Sequence, residues 1–296
     1  MTDVKGAAVA AQQKGADEQS AGAAGKPAER SESAEGRRVG AVGWRPRGSS
    51  RVRNAVLWDA LRTVLDRIAP EGPSDVVDVG GGTGGFAVPL AELGHRVTVV
   101  DASPDALAAL ERRADEAGVT VKAVQGDAVD LPDLLGSDAA DLVLCHSVLE
   151  YVDDPDAAVR ALTATLRPGG SASVLVAGQV AAALHRAVAG HFDDARHVLT
   201  DPDGRWGDHD RMPRRFTRET LSALVAASGL TVGELHGVRI FADLIPGNLV
   251  DADHTAAGRG PGGERAAEAL IALESAAAVH PILRELATQL HLLAHK

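Results

Sequence analysis

Two hydrophobic periods alternate along this chain, and that alternation constrains its fold more than any other feature. Short β-branched or aliphatic runs at 76–79, 97–100, 119–124, 142–144 and 172–176 are separated by helix-length amphipathic segments. Continuous apolar runs suit strands covered on both faces, and strands joined by long crossovers run parallel. The expected class is therefore α/β, a doubly wound, mostly parallel sheet with helices on both faces. Ser103-Pro104 and Asp154-Pro155 mark two of the helix starts, with Ser or Asp as N-cap and Pro as the first helical residue.

Upstream, Val52, Val56, Leu57, Ala60, Leu61, Val64, Leu65 and Ile68 recur at helical spacing until Pro70 and Gly72. Residues 1–48 lack any such period and are rich in Ala, Gly, Ser, Glu and Arg, so they are expected to form a disordered tail preceding one domain at 49–296. Asp3, Lys5, Gln12, Gln13 and Lys14 interrupt what a secretory signal would need, and Asp17, Glu18 and Glu29 disfavour a transit peptide. After 176 the pattern loosens. A helix is expected over 179–189, then a polar stretch over 205–218, a helix over 218–228 and a strand over 231–241. A Gly/Pro-rich loop through Gly263, helical segments over 264–287 and an apolar run over 290–294 complete the chain. Two late strands bracketing a helix suit an antiparallel, hairpin-like edge on the sheet.

The sharpest local signal is Val76-Val77-Asp78-Val79-Gly80-Gly81-Gly82-Thr83-Gly84-Gly85-Phe86, a buried strand entering glycines and then a helix. Glycines let backbone turn tightly and a ligand approach closely. The run satisfies G-x-G-x-x-G through Gly80, Gly82 and Gly85, and equally D-x-G-x-G-x-G through Asp78, Gly80, Gly82 and Gly84. Asp101 ends the next strand, where an acid accepts hydrogen bonds from ribose hydroxyls or, alternatively, caps the turn before Ser103-Pro104. Gly126-Asp127-Ala128 follows the third strand, His146 ends the fourth, and Arg167-Pro168-Gly169-Gly170 turns into the fifth.

In this order and spacing the motifs resemble the class I S-adenosylmethionine-dependent methyltransferases. That resemblance implies a seven-stranded Rossmann-like sheet and S-adenosyl-L-methionine as cofactor. No separate substrate domain is evident, as a nicotinamide dehydrogenase would more usually carry. Further stretches narrow the likeness: Val52-Arg53-Asn54-Ala55-Val56-Leu57-Trp58, His146-Ser147-Val148-Leu149-Glu150-Tyr151-Val152, Val188-Ala189-Gly190-His191-Phe192-Asp193 and Gly237-Val238-Arg239-Ile240-Phe241. With these the chain is similar to the bacterial tRNA 5-carboxymethoxyuridine methyltransferases, which esterify the carboxylate of a modified wobble uridine.

The resemblance implies roles by position. Arg53 clamps the cofactor carboxylate, the alternative being an exposed helix arginine. Asp78, Gly80, Gly81 and Gly82 form the cofactor loop, Asp101 binds ribose, Ala128 and Val129 meet adenine, and Asp127 its amino group. His146, at the carboxyl edge of the sheet, touches cofactor or substrate. Glu150 and Tyr151 line the mouth of the site, with a helix cap as the other reading of Glu150. No catalytic residue is assigned, because a carboxylate nucleophile is already deprotonated at pH 7; His146 and Arg239 are positioning candidates. For an alcohol or phenol acceptor, His146 or His191 would supply the base.

The substrate side rests on Arg205, Arg211, Arg214, Arg215 and Arg218, the densest basic patch of the ordered region, within an insertion at about 179–218. The patch suits tRNA phosphates; a solvated basic loop is the other reading, and Trp206, Asp208, His209 and Asp210 dilute its charge. Arg239 suits an anionic substrate group or a strand-edge salt bridge. The formal net charge of -11 excludes only a broad basic surface. The expected partners are tRNA or a small-molecule methyl acceptor. A single cysteine, Cys145, excludes a disulfide framework and a cysteine-based zinc site, no metal is expected, and the default setting is cytoplasmic. No apolar run reaches the roughly 18 residues of a membrane span.

Overall fold

The sequence condenses into alternating strands and helices in a computed structural model that describes residues 49–69, 72–245 and 261–296, without the side chains of 49–53 and 261–264. The expected N-terminal tail, and 246–260 of the expected Gly/Pro-rich loop, lie outside the described residues. In chain order the principal elements are α1 (Ser49–Ile68), β1 (Asp75–Val79), α2 (Ala87–Glu92), β2 (Arg96–Asp101), α3 (Pro104–Ala117), β3 (Val121–Gln125), α4 (Leu131–Leu135), β4 (Ala140–His146), α5 (Pro155–Thr165), β5 (Leu166–Ala177), α6 (Gln179–Val188), α7 (Phe192–Thr200), α8 (Arg218–Ala227), β6 (Thr231–Val238), α9 (Pro261–Ala278) and β7 (Gln289–His295).

Seven strands form one sheet in the order β3-β2-β1-β4-β5-β7-β6. The first five run parallel to their neighbours, whereas β7 is antiparallel to both β5 and β6, so the expected antiparallel edge is present. Parallel strands are hydrophobic on both sides because each face is covered. One face packs Val77, Val79, Val143, Cys145, Val174 and Val176 against α5 and α8, through Val159, Leu162, Leu221 and Val225. The other face packs Val76, Val99, Leu142 and Leu144 against α1, α2 and α3, through Leu61, Leu65, Leu90 and Leu110. Burying one Leu side chain stabilises by roughly 1.5–3 kcal/mol, so the two layers supply most of the driving force.

The expected caps are in place. Ser103 Oγ accepts from the Ala106 N–H at 3.2 Å, and Asp154 Oδ1 from the Ala157 N–H at 2.9 Å. Arg167, at the start of β5, donates to Asp75 Oδ2 at 2.9 Å and Asp141 Oδ1 at 2.8 Å, pinning the amino ends of β1 and β4. Its motif position is therefore structural, at the opposite end of the sheet from the ligand edge.

The differences from expectation include two boundaries and one helix. The helical segments over 264–287 stop at Ala278 and resume only as a 3-10 turn, Leu283–Leu286. Pro281 explains the gap, since it lacks an N–H and disfavours helix at His280. The strand expected to reach 241 stops at Val238, where Arg239 turns into the left-handed region at φ 63°. Helix α7 was not foreseen.

Candidate functional site

Open parallel sheets bind ligands outside the carboxyl ends of their strands, and there the first cavity lies. It measures about 360 Å³ and is lined by Val79, Gly80, Asp101, Gly126, Asp127, Ala128, Ser147, Val148 and Tyr151, among others. Gly80 sits at φ 64°, and a Cβ there would come within 2.4 Å of Val148 Cγ2, so any side chain would collide with the cavity wall. Gly82, at φ 54°, points its N–H at Asp101 Oδ2, 2.9 Å away, while Asp101 Oδ1 accepts from the Ser103 N–H at 2.9 Å. Each carboxylate oxygen keeps a further lone pair for a ligand hydroxyl. Asp127 is exposed and its carboxylate has no hydrogen-bond or ion-pair partner among the described residues.

Beneath the loop lies Asp78, buried. A Cβ on Gly81 would approach its Oδ2 to 2.6 Å, so the glycine closes directly over the carboxyl. Burial, with the Asp101 charge adding to it, raises the Asp78 pKa to about 7.

A second cavity, about 410 Å³, opens beyond β5 and is lined by Ala177, Gly178, Ala181, Ala182, His185, Arg186, Ala189, His191, Trp206, Met212, Arg215 and Thr288. No carboxylate stands among these lining residues. A third, about 550 Å³, shares Arg186, Trp206, Met212 and Arg215 with it, and also contains Arg211, Tyr151 and three carboxylates, Asp194, Asp208 and Asp210. Tyr151 therefore lines both the first and the third cavities, and its side chain is largely exposed.

Around Trp206 two guanidinium groups stack, Arg186 Cζ at 3.6 Å and Arg215 Cζ at 4.0 Å from the ring centroid. Cation–π contacts of this kind contribute roughly 0.5–2 kcal/mol, more when desolvated. Arg215 is fully committed: it donates to Gly204 O at 3.0 Å and forks onto Asp210 at 2.6 and 3.2 Å, with only 4% of its side chain exposed. Asp210 also accepts from the Trp206 and Met212 N–H groups, and its pKa falls because these bonds and the Arg215 charge outweigh its burial.

The methyltransferase domain family matches residues 77–174. The tRNA 5-carboxymethoxyuridine methyltransferase of Escherichia coli K12 is 35% identical over 198 residues, 66% of this chain and 73% of that protein. The chain belongs to the class I S-adenosylmethionine-dependent methyltransferases. It is also 30% identical to the ubiquinone biosynthesis O-methyltransferase of Azorhizobium caulinodans, over 68% of this chain and 80% of that one. A solved S-adenosylmethionine-dependent methyltransferase from Methanosarcina mazei shares the fold, with a TM-score of 0.52 at 17% identity, covering 80% of this chain and 96% of that chain. S-adenosyl-L-methionine is the cofactor of this methyltransferase. The residues of the first cavity fit it: glycine leaves the wall open, and two acids retain acceptor capacity.

The methyltransferase brings together only part of what its sequence led us to expect. Gly80, Asp101, Asp127 and Ala128 share the first cavity, whereas Val129 is exposed and Gly81 and Gly82 support the loop without lining it. Arg53 lies on α1, and its side chain is outside the described residues.

The structure places His146 on the inner face of β4. Its ring turns into the protein, with Nε2 2.8 Å from Ser173 Oγ, which in turn is 2.8 Å from His291 Nε2, and it packs edge-on against Phe86. It lines neither the first nor the second cavity. The cause is register: His146 shares the face of Leu142 and Leu144, which looks into the α1 layer. Burial lowers its pKa to about 4 and that of His291 well below the usual imidazole value, so both rings are neutral at pH 7.

Glu150 is likewise a tether. It is buried, its Oε1 accepts from the Ala177 N–H at 2.7 Å, and burial raises its pKa against the opposing pull of Arg214 and Arg215. The basic patch also dissolves on folding. Arg214 donates to the Leu149 and Val152 carbonyls, Arg215 is buried, and Arg218 pairs with Glu219 and Glu285. Of the five patch arginines, Arg211 is exposed without a partner among the described residues, and Arg205 is half-buried with its Nε unpartnered there. Arg239 is held by Asp243 through Nε and Nη2 at 3.1 and 2.8 Å, the salt bridge its position allowed. Sequence reasoning missed Arg186 altogether and read Trp206 only as a dilution of charge.

Proposed function

We propose that this methyltransferase transfers a methyl group to a carboxylate-bearing acceptor, the carboxymethoxy group of a modified wobble uridine in tRNA being the first candidate. The observation that carries the reading is the second cavity, which places Arg186, His185 and His191 beside an alanine-rich wall with no carboxylate among its lining residues, the Arg215 there being already paired with Asp210. Such a site favours an anion. The similarity to the Escherichia coli enzyme supports the RNA acceptor.

In this reading Asp101 accepts the ribose hydroxyls, Asp127 the adenine amino group, and Ala128 packs on the adenine, while Gly80 and Gly82 hold the loop open. Arg53 pairs with the cofactor carboxylate. Asp78 acts from beneath the loop, filling the space that a side chain at position 81 would need. Tyr151 stands at the passage shared by the first and third cavities. Bound S-adenosyl-L-methionine supplies an electrophilic methyl group for in-line attack. A carboxylate acceptor carries its own negative charge at pH 7, so this chain has to align and desolvate it without removing a proton, a proximity effect of up to about 7–11 kcal/mol. Residues 49–296 form the catalytic domain, with 179–218 as its acceptor-side insertion.

The test is transfer of labelled methyl from the cofactor to two tRNAs, with and without the 5-carboxymethoxy group. Label confined to the first, and released by mild alkali, is the expected result. Equal labelling of both overturns the reading. The inward-turned arginines favour a second reading, a small-molecule O- or N-methyltransferase. Of the two candidate bases it would need, only His191 lines a cavity, so it expects His191→Ala to abolish a transfer that Arg211→Gln leaves intact.

A further inference from the structure

The two arginines on Trp206 differ in one respect that bears on the acceptor. Arg215 spends its guanidinium on Asp210 and Gly204 and is sealed from solvent. Arg186 lines both the second and third cavities and keeps 28% of its side chain exposed, and its guanidinium makes no hydrogen bond within the described residues; its single ion pair, to Asp194, spans 3.6 Å. A guanidinium whose Cζ is held 3.6 Å over an indole centroid is already confined, so binding a carboxylate bidentately costs it less further entropy than a free arginine would lose. The walls beside it are Ala177, Ala181, Ala182 and Ala189, with Met212 next to the indole. Small residues leave room for a flat ring, and a thioether and an indole offer it soft, apolar contacts.

We propose that Arg186, stacked on Trp206, is the specificity anchor for the acceptor's carboxylate, and that this cavity takes a planar ring bearing an acidic side arm, such as an aryloxyacetate. This deepens the carboxylate reading above and rests on it for the location of the acceptor. Asp194 acts as a placeholder: its carboxylate occupies Arg186 weakly until the acceptor's replaces it.

Phenoxyacetate serves as the probe, with neutral 2-phenoxyethanol as its match in ring and length. Both are titrated into the full-length protein holding S-adenosylhomocysteine, and binding is read from Trp206 fluorescence, with Trp206→Phe identifying its share against Trp44 and Trp58. The expected result is that phenoxyacetate binds more tightly than phenoxyethanol by about tenfold or more. Arg186→Gln removes that preference while leaving phenoxyethanol and S-adenosylhomocysteine binding within about twofold, and Arg186→Lys restores part of it. Asp194→Asn tightens phenoxyacetate binding by about threefold, in keeping with a weak surface pair. Arg196→Gln, an exposed charge on α7 outside the cavity, changes neither probe. Unaltered phenoxyacetate binding in Arg186→Gln overturns the proposal, as does equal weakening of both probes or equal affinity in the parent protein. Because no methyl transfer is measured, failure of the tRNA assay with this binding pattern intact would reject the RNA acceptor and leave the anchor standing.

Discussion

The two ends of the binding edge are built on different principles. At the β1–β2–β3 end the polar groups that face the cavity are acids at or just after strand ends, Asp101, braced by the Gly82 N–H of the glycine loop, and the uncommitted Asp127. At the β5 end they come from long side chains, Arg186, Arg215 and Trp206, brought together from positions about ten to thirty residues apart. Backbone-built sites demand glycines and turn residues at fixed places. Side-chain sites demand only that the chain fold back, and a committed arginine carries the same letter as a free one. The first end is therefore rigid and coded locally, while the second depends on which cation finds a buried partner.

The comparison breaks first at Asp210. Asp210→Ala leaves Arg215 buried and unpaired, and urea unfolding is expected to show a loss of about 3–5 kcal/mol, against about 0.5 kcal/mol or less for Asp208→Ala on the same segment's surface. Equal losses would mean that the Arg215 pair does not organise the acceptor side. At the other end, Asp101→Ala removes a charged acceptor and the anchor of Gly82, so calorimetry is expected to find S-adenosylhomocysteine bound about tenfold to a hundredfold more weakly. Undiminished affinity would move the cofactor elsewhere.

Asp78 gives a subtler contrast through pH. Its carboxyl is raised from 3.8 to about 7, so the folded state holds the proton more tightly than the unfolded chain. Its contribution to stability is full below about 3.8 and fades as pH rises through about 7. In the cofactor-free protein, stability relative to Asp78→Asn is therefore expected to decline between about pH 4 and 7; parallel curves for the two proteins would show a carboxyl that titrates normally. The smallest effect belongs to Arg211→Gln, expected to change unfolding free energy by no more than about 0.5 kcal/mol because its guanidinium is exposed and unpaired. A loss above 1 kcal/mol would show that it too is structural.

Much of this molecule was legible before folding. The strand positions followed from runs such as Val76-Val77 and Leu142-Val143-Leu144, and the caps from Ser103-Pro104 and Asp154-Pro155, because each is a local preference satisfied within a few residues. The surroundings of His146 were not legible, because a strand's last residue faces either layer according to register, and only the folded sheet sets it beside Ser173, which in turn meets His291. The contacts of Arg214 and Glu150 were not legible because their partners are backbone groups, the carbonyls of Leu149 and Val152 and the Ala177 N–H, which no side-chain pattern announces.

By itself, then, the sequence determined the parallel sheet, the glycine loop and the acid at the end of β2, all consequences of short-range periodicity, glycine backbone freedom and turn chemistry. Only the tertiary structure decided which charges remain available. Burial makes an unpaired ion costly, so folding consumed Arg214, Arg215 and Arg239 in internal contacts and left Arg186 over Trp206 facing the cavity.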